Sequence, residues 1–302
     1  RLALSLPLAA IVERVSGPVT DLLDLLDLEP IEVNIFRGRS PDEDRQRVFG
    51  GQVMGQALVA AQRTVDDDCQ AHSLHSYFLR PGDPAVPILY EVDRIRDGRS
   101  FTTRRVVAIQ HGRAIFTMSV SFHIQESSQE YHLSMPQVDG PEDLVDWTDY
   151  LATIQDEIPE DMAHWFSRPR PIETRPLKVH HPSKPVFEDP PINQLWFRAA
   201  APVPDDQALQ QALLTYAVDM WLLDCSTMAH GYQFSDPDMQ MASLDHSMWF
   251  LRPFRADEWL LLDAECITTA GARGMNRANI YTVDGRLVAT ANQEGLMRRQ
   301  DG

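Results

Sequence analysis

Two periods of apolar residues run through this chain. Helical spacing over Gly51–Val65 and Gln207–Met228 predicts two long helices. The second is apolar on nearly every face, as a helix wrapped by a sheet must be. Alternating stretches predict strands at Ile31–Arg37, Ser73–Arg80, Ile88–Arg96, Phe101–Gln110 and Ala114–His123, and then at Ile172–Lys178, Leu195–Ala199, Met241–Phe250, Trp259–Thr268, Met275–Thr282 and Leu287–Met297. Hairpin turns are signalled at Arg96–Arg99, Gln110–Arg113 and Val283–Arg286. A helix followed by a four-strand meander is an α+β plan, because the apolar face of a sheet needs a layer to cover it.

The two sets are copies. His75-Ser76-Tyr77-Phe78-Leu79-Arg80-Pro81 returns as His246-Ser247-Met248-Trp249-Phe250-Leu251-Arg252-Pro253, aligned through Arg-Pro at an offset of 172. Ser100–Arg105 is answered by Ala272–Arg277, and His111-Gly112-Arg113 by Asp284-Gly285-Arg286. The domains expected are an extension over 1–20, a first repeat over 21–124, a linker over 125–170 and a second repeat over 171–302. The linker is acidic and proline-bearing, with a surface helix expected near Glu142–Gln155. The proline-rich run 182–193 predicts extended loop.

Composition narrows the class. At 302 residues, 43% hydrophobic and 24% charged, the chain has the make-up of a globular protein with ample core. A net charge of −17 opposes nucleic acid and anionic membrane as partners. Cys69, Cys225 and Cys266 lack metal-ligand spacing, which predicts reduced, buried thiols and a cytoplasmic setting. Leu2–Val12 is apolar but too short for a membrane span, and no cleavage pattern follows it.

The copies differ where chemistry is possible. Asp219 lies inside the apolar second helix, whereas the first helix has no acid before Asp66. A buried carboxylate needs a partner or a task. Gln293 shares a strand face with the small residues Ala289, Ala291 and Gly295, where a helix or ligand can come close. Ser243 opens the strand leading into the repeated motif. An acid, a hydroxyl and an amide can hold one water and take its proton, with Asp219 as general base and Ser243 and Gln293 orienting the water. Each position also has a plainer structural reading, as a bonded core polar group, a turn serine or a strand-end polar residue.

Val48–Val53, His75–Asp83, Leu244–Phe250 and Gln293-Glu294-Gly295 together resemble the bacterial acyl-CoA thioesterase II family, in matching order from about Asp21 to Arg299. The resemblance implies a double hotdog, two antiparallel sheets each wrapped around a long central helix. It also implies hydrolysis of acyl-CoA to free acid and CoA, with the Asp, Ser or Thr, and Gln of the reaction falling on Asp219, Ser243 and Gln293. Threonine is common in the family where Ser243 stands; the hydroxyl remains and a packing methyl is lost.

The rest of the expected site follows from chemistry. The N–H groups at the start of the first helix suit an oxyanion, and Gly51 is the candidate donor, with close helix packing as its alternative role. Arg94, Arg96, Arg99, Arg104 and Arg105, with Arg273 and Arg277, are candidates for the CoA phosphates. No cofactor is required. Open sheet edges and the resemblance predict a homo-oligomer. A hotdog enoyl-CoA hydratase is disfavoured, since that chemistry leads us to expect a His five residues after the Asp and position 224 is Asp224. Gly-x-Ser-x-Gly is absent, which excludes a serine-type thioesterase. A non-catalytic acyl-CoA binder and an interaction scaffold are the remaining alternatives.

Overall fold

The computed structural model describes residues 17–41, 46–159, 168–233, 236 and 238–300. The apolar segment Leu2–Val12 lies outside these residues. Helix α1 (Pro18–Leu26) opens the described chain and crosses the expected boundary at residue 20. It seats Leu22, Leu23 and Leu26 in the core.

The first repeat contains β1 (Glu29–Glu32), β2 (Ile35–Gly38), α2 (Gly50–Gln62), β3 (Cys69–Phe78), β4 (Ile88–Asp97), β5 (Phe101–Gln110) and β6 (Arg113–Ile124). After the linker helix α3 (Trp147–Thr153) come β7 (Ile172–Pro176), β8 (Ile192–Ala199), α4 (Gln207–Val218) and α5 (Asp224–Met228). The chain continues through β9 (Met239–Ser243), β10 (Asp245–Phe250), β11 (Leu260–Ala270), β12 (Arg273–Thr282) and β13 (Leu287–Arg299).

Three predicted elements are divided in the structure. The strand expected at 31–37 is the β1–β2 hairpin, turning at Val33-Asn34. The strand expected at 241–250 breaks at Leu244, so that β9 pairs only with β13 while β10 lies between β13 and β3. The helix expected at 207–228 stops at Val218, with Asp219 as its C-cap. Beyond it Met220 and Trp221 donate to carbonyls three residues back, and this tightened turn brings Trp221 against Phe197 at 5.2 Å. No Gly or Pro marks that break in the sequence.

The halves also join where separate sheets are expected. β3 and β10 pair antiparallel, so the strands run β1-β2-β4-β5-β6-β3-β10-β13-β12-β11-β8-β7 in one continuous sheet. His75 lies opposite Ser247, and its Nδ1 meets the serine Oγ at 3.1 Å. The offset of 172 makes these two residues equivalents, so a local two-fold passes between them. The same offset makes His246 the equivalent of Leu74, not of His75, while in the sheet it lies opposite Ser76.

α2 and α4 are buried along almost their full length and lie antiparallel. Gln62 Nε2 at the end of α2 donates to the Ala208 carbonyl at the start of α4. Gly51, at the other end of α2, faces the Tyr216 carbonyl so closely that a Cβ there would stand 2.4 Å from it. The linker residues Met135, Val138 and Leu144 cover a separate apolar cluster of Trp196, Trp259, Leu261, Tyr281 and Leu287 on the second half. The helix expected at 142–155 is shorter, as α3. Of the three free thiols only Cys225 is fully buried; Cys69 and Cys266 are half-buried.

Candidate active site

The end of α4 carries the acid. Asp206 caps the helix N-terminus by accepting from Ala208 N and Leu209 N, and ten consecutive residues from Leu209 to Val218 are buried. The helix therefore delivers Asp219 into the interior, where its side chain is 4% exposed. On β13, Ala289, Ala291 and Gln293 all face inward and are fully buried. Their small neighbours let the turn after Asp219 approach, and a Cβ on Gly295 would meet Leu223 Cδ2 at 2.4 Å. Ser243 lies at the end of β9, opposite Gly295.

Gln293 links the other two. Its Nε2 donates to Asp219 Oδ1 at 2.8 Å and to Ser243 Oγ at 2.9 Å, while its Oε1 is buried without a hydrogen-bond partner. The serine oxygen thus accepts, which leaves its own proton free to be donated. The three residues singled out in the sequence stand in one hydrogen-bonded chain.

The first repeat closes the site. A Cβ on Gly50 would lie 2.7 Å from Asp219 Oδ2, with the Phe78 ring at 3.1 Å. The first turn of α2, whose N–H groups have no partner within the helix, thus abuts the carboxylate. Gly51 packs on Tyr216, and Gly50 is the residue nearer the acid; the sequence reading missed Gly50.

The arginines do not converge on this site. Arg94, Arg99 and Arg104 line one depression of about 250 Å³ with Asp66, Asp68 and Asp97. It lies at the far end of α2, a helix roughly 20 Å long. Arg104 is itself buried and bonds Thr64 Oγ1, the Thr64 carbonyl and Asp97. Arg94 donates to Asn34, Arg105 pairs with Asp93, Arg273 with Glu294 and Arg277 with Glu265. Arg96 uses its carbonyl to accept from Arg104.

Comparisons with known proteins agree with this architecture. A family model described as acyl-CoA thioesterase matches residues 165–296, and one described as acyl-CoA thioesterase N-terminal domain matches residues 39–123. Acyl-CoA thioesterase 2 of Haemophilus influenzae is 38% identical over 283 residues, covering 94% of this chain and 99% of that protein. Acyl-coenzyme A thioesterase 8 of Homo sapiens is 38% identical over 282 residues, covering 91% and 88%. A solved acyl-CoA thioesterase II from Mycobacterium marinum has a TM-score of 0.74 at 39% identity, over 93% of this chain and 98% of its own. A hot dog fold protein from Alicyclobacillus acidocaldarius has a TM-score of 0.73 at 19% identity, over 92% and 98%.

Fold and comparisons together define a hotdog-type thioesterase. The large antiparallel sheet and its two buried helices belong to that class. Within it, this chain belongs to the acyl-CoA thioesterase II family.

Proposed function

We propose that the chain hydrolyses acyl-CoA to free fatty acid and CoA with a water activated by Asp219 and oriented by Ser243 and Gln293. The observation that carries this reading is the Gln293 amide, which bonds both Asp219 Oδ1 and Ser243 Oγ. With Oδ1 held, Oδ2 is the carboxylate oxygen left to take a proton. The Ser243 hydroxyl proton and Gln293 Oε1 supply a donor and an acceptor to fix the water. Water oxygen attacks the thioester carbon as its proton passes to Asp219. The tetrahedral oxyanion is held by the first-turn N–H groups of α2, at Gly51 with Gly50 beside it. The C–S bond then breaks. The thiolate departs readily, since a thiol pKa is about 8.5.

In this reading each half is one hotdog, its strands wrapped around its own helix, and the pair forms a double hotdog. The depression with Arg94 and Arg99 is the part of the arginine set that supports a seat for the anionic end of CoA. The terminal strands β1 and β7 are open edges, which supports assembly of copies.

The test is CoA release, followed with a thiol reagent, across short, medium and long acyl-CoAs. Asp219→Asn in a folded protein is expected to lose about 10²- to 10⁴-fold in kcat. Unchanged turnover would remove Asp219 as the base. If the native chain released no CoA from any substrate, the hydrolytic reading itself would fail.

A further inference from the structure

His246 has an unexplained place in the core. It is fully buried, and neither ring nitrogen has a hydrogen-bond partner. Its Nδ1 stands 3.7 Å from Asp219 Oδ1. Two unpaired polar atoms in the interior are costly, and a purely structural position would favour a hydrocarbon. The other half of the molecule shows which hydrocarbon fits.

The sheet register gives the equivalents. In the first half, Val120 pairs with both Leu74 and Arg104. In the second half Gln293 pairs with Asn276, and Ser247 pairs with Asn292, which sets His246 across from Gln293. Gln293 therefore answers Val120, and His246 answers Leu74. Ser243 answers Ala71 at the same offset of 172. Three inward positions are apolar in one half and polar in the other, and all three polar residues gather around Asp219. His246 changes together with Ser243 and Gln293.

We infer that His246 is a positioning residue for the hydrolysis, its Nδ1–H held ready to donate to Asp219 Oδ1 and fix the carboxylate with Oδ2 toward the water. The inference rests on the reading of Asp219 as the base. A distance of 3.7 Å is longer than a hydrogen bond, and such contacts tighten when substrate closes a site. Among the described residues Asp219 is the one carboxylate within 4.0 Å of the imidazole nitrogens. From β3, the Ser76 hydroxyl is committed to the His246 backbone carbonyl at 2.8 Å, so it does not serve the ring. Gln293 Nε2 has both hydrogens engaged. Asp219 is thus the acceptor that the geometry offers to Nδ1.

His246→Leu installs the residue that the first half carries, and it separates stability from turnover. Removing two unpaired polar atoms should leave the thermal midpoint equal or higher, whereas kcat falls about 10- to 100-fold, the size expected for one hydrogen bond to a charged group. KM should stay within about twofold, because the lost contact touches no substrate. His246→Asn, whose amide N–H lies near the Nδ1 position, should restore most of kcat, and His246→Gln should not. An unchanged kcat in folded His246→Leu beside an inactive Asp219→Asn overturns the inference and leaves the base in place. So does His246→Asn as slow as His246→Gln, a comparison that holds even where the leucine variant fails to fold. If Asp219→Asn is as active as the native chain, the reading of the whole site falls first.

Discussion

Gly50 and Asp219 meet across the two repeats: a Cβ on the glycine would stand 2.7 Å from the aspartate Oδ2. The helix of one half thus presents its N-terminus to the acid at the end of the other half's helix. Antiparallel packing of α2 and α4 makes this meeting possible, since each helix start then lies beside the other's end. The site is a product of both repeats, and neither repeat alone would carry it.

The two glycines at this junction should fail in different ways. In Gly50→Ala the new methyl meets a side chain, Asp219, which must turn away. We expect the fold to persist and kcat to drop about 10²-fold, the cost of misplacing a reacting group by about 1 Å. In Gly51→Ala the methyl meets the Tyr216 backbone carbonyl at 2.4 Å, which cannot turn. That variant should lose about 1–3 kcal/mol of stability in urea unfolding.

Ser243 accepts from Gln293 and keeps a proton to give. Ser243→Ala should therefore lower kcat about 10-fold or more, one hydrogen bond's worth. Ser243→Thr keeps the hydroxyl and should remain within a few-fold of the native enzyme. Steady-state CoA release distinguishes the two; a threonine variant as slow as alanine would show that packing at β9, not the hydroxyl, matters.

Asp224 begins α5, and burial pushes its carboxyl up to about 7 from an ordinary 3.8. Because the folded value is the higher one, the folded chain holds the proton longer than the unfolded chain. Stability is then fully present below about pH 4 and is lost as pH rises through 7. Asp224→Asn should match the native protein near pH 3.5 and exceed it at pH 8. The residue is part-exposed, which limits the gain to about 1–2 kcal/mol. Urea titrations at the two pH values check the sign, and a larger gain at the lower pH would refute the assignment.

Arg104 is the first-half counterpart of Asn276, and only 1% of its side chain is exposed. It bonds Thr64 and Asp97 at the end of α2, the position that corresponds to the acid's end of α4. Arg104→Ala strands these acceptors and should cost about 2–4 kcal/mol. The kcat per folded molecule should stay near native, since Arg104 is buried and bonded to Thr64 and Asp97, away from Gly50 and Asp219. A stable but slow variant would instead tie this arginine to substrate.

Much of this protein was legible from its sequence. Period fixes secondary structure wherever one face is buried, so the sequence places Phe101–Gln110 to the residue, the first core helix to within three positions and the start of the second at Gln207. The repeat located the two halves, and a lone acid in an apolar helix pointed to Asp219, because burying charge is costly enough to be conspicuous. The breaks at Asp219 and Leu244 were not legible. Both lack Gly or Pro, and each is decided by a partner distant in the chain: Phe197 for Trp221, β3 and β13 for the strands around Leu244. The sheet register was hidden for the same reason. The Arg-Pro alignment, at its offset of 172, sets His246 against Leu74, but only the pairing of β10 places it opposite Ser76 of β3 and beside Gln293 of β13. Local sequence determined which residues face inward, through the energy of burial. Only tertiary pairing decided which of them meet, since contacts between Gly50, Asp219, His246 and Gln293 come from four separate elements and no local period encodes them.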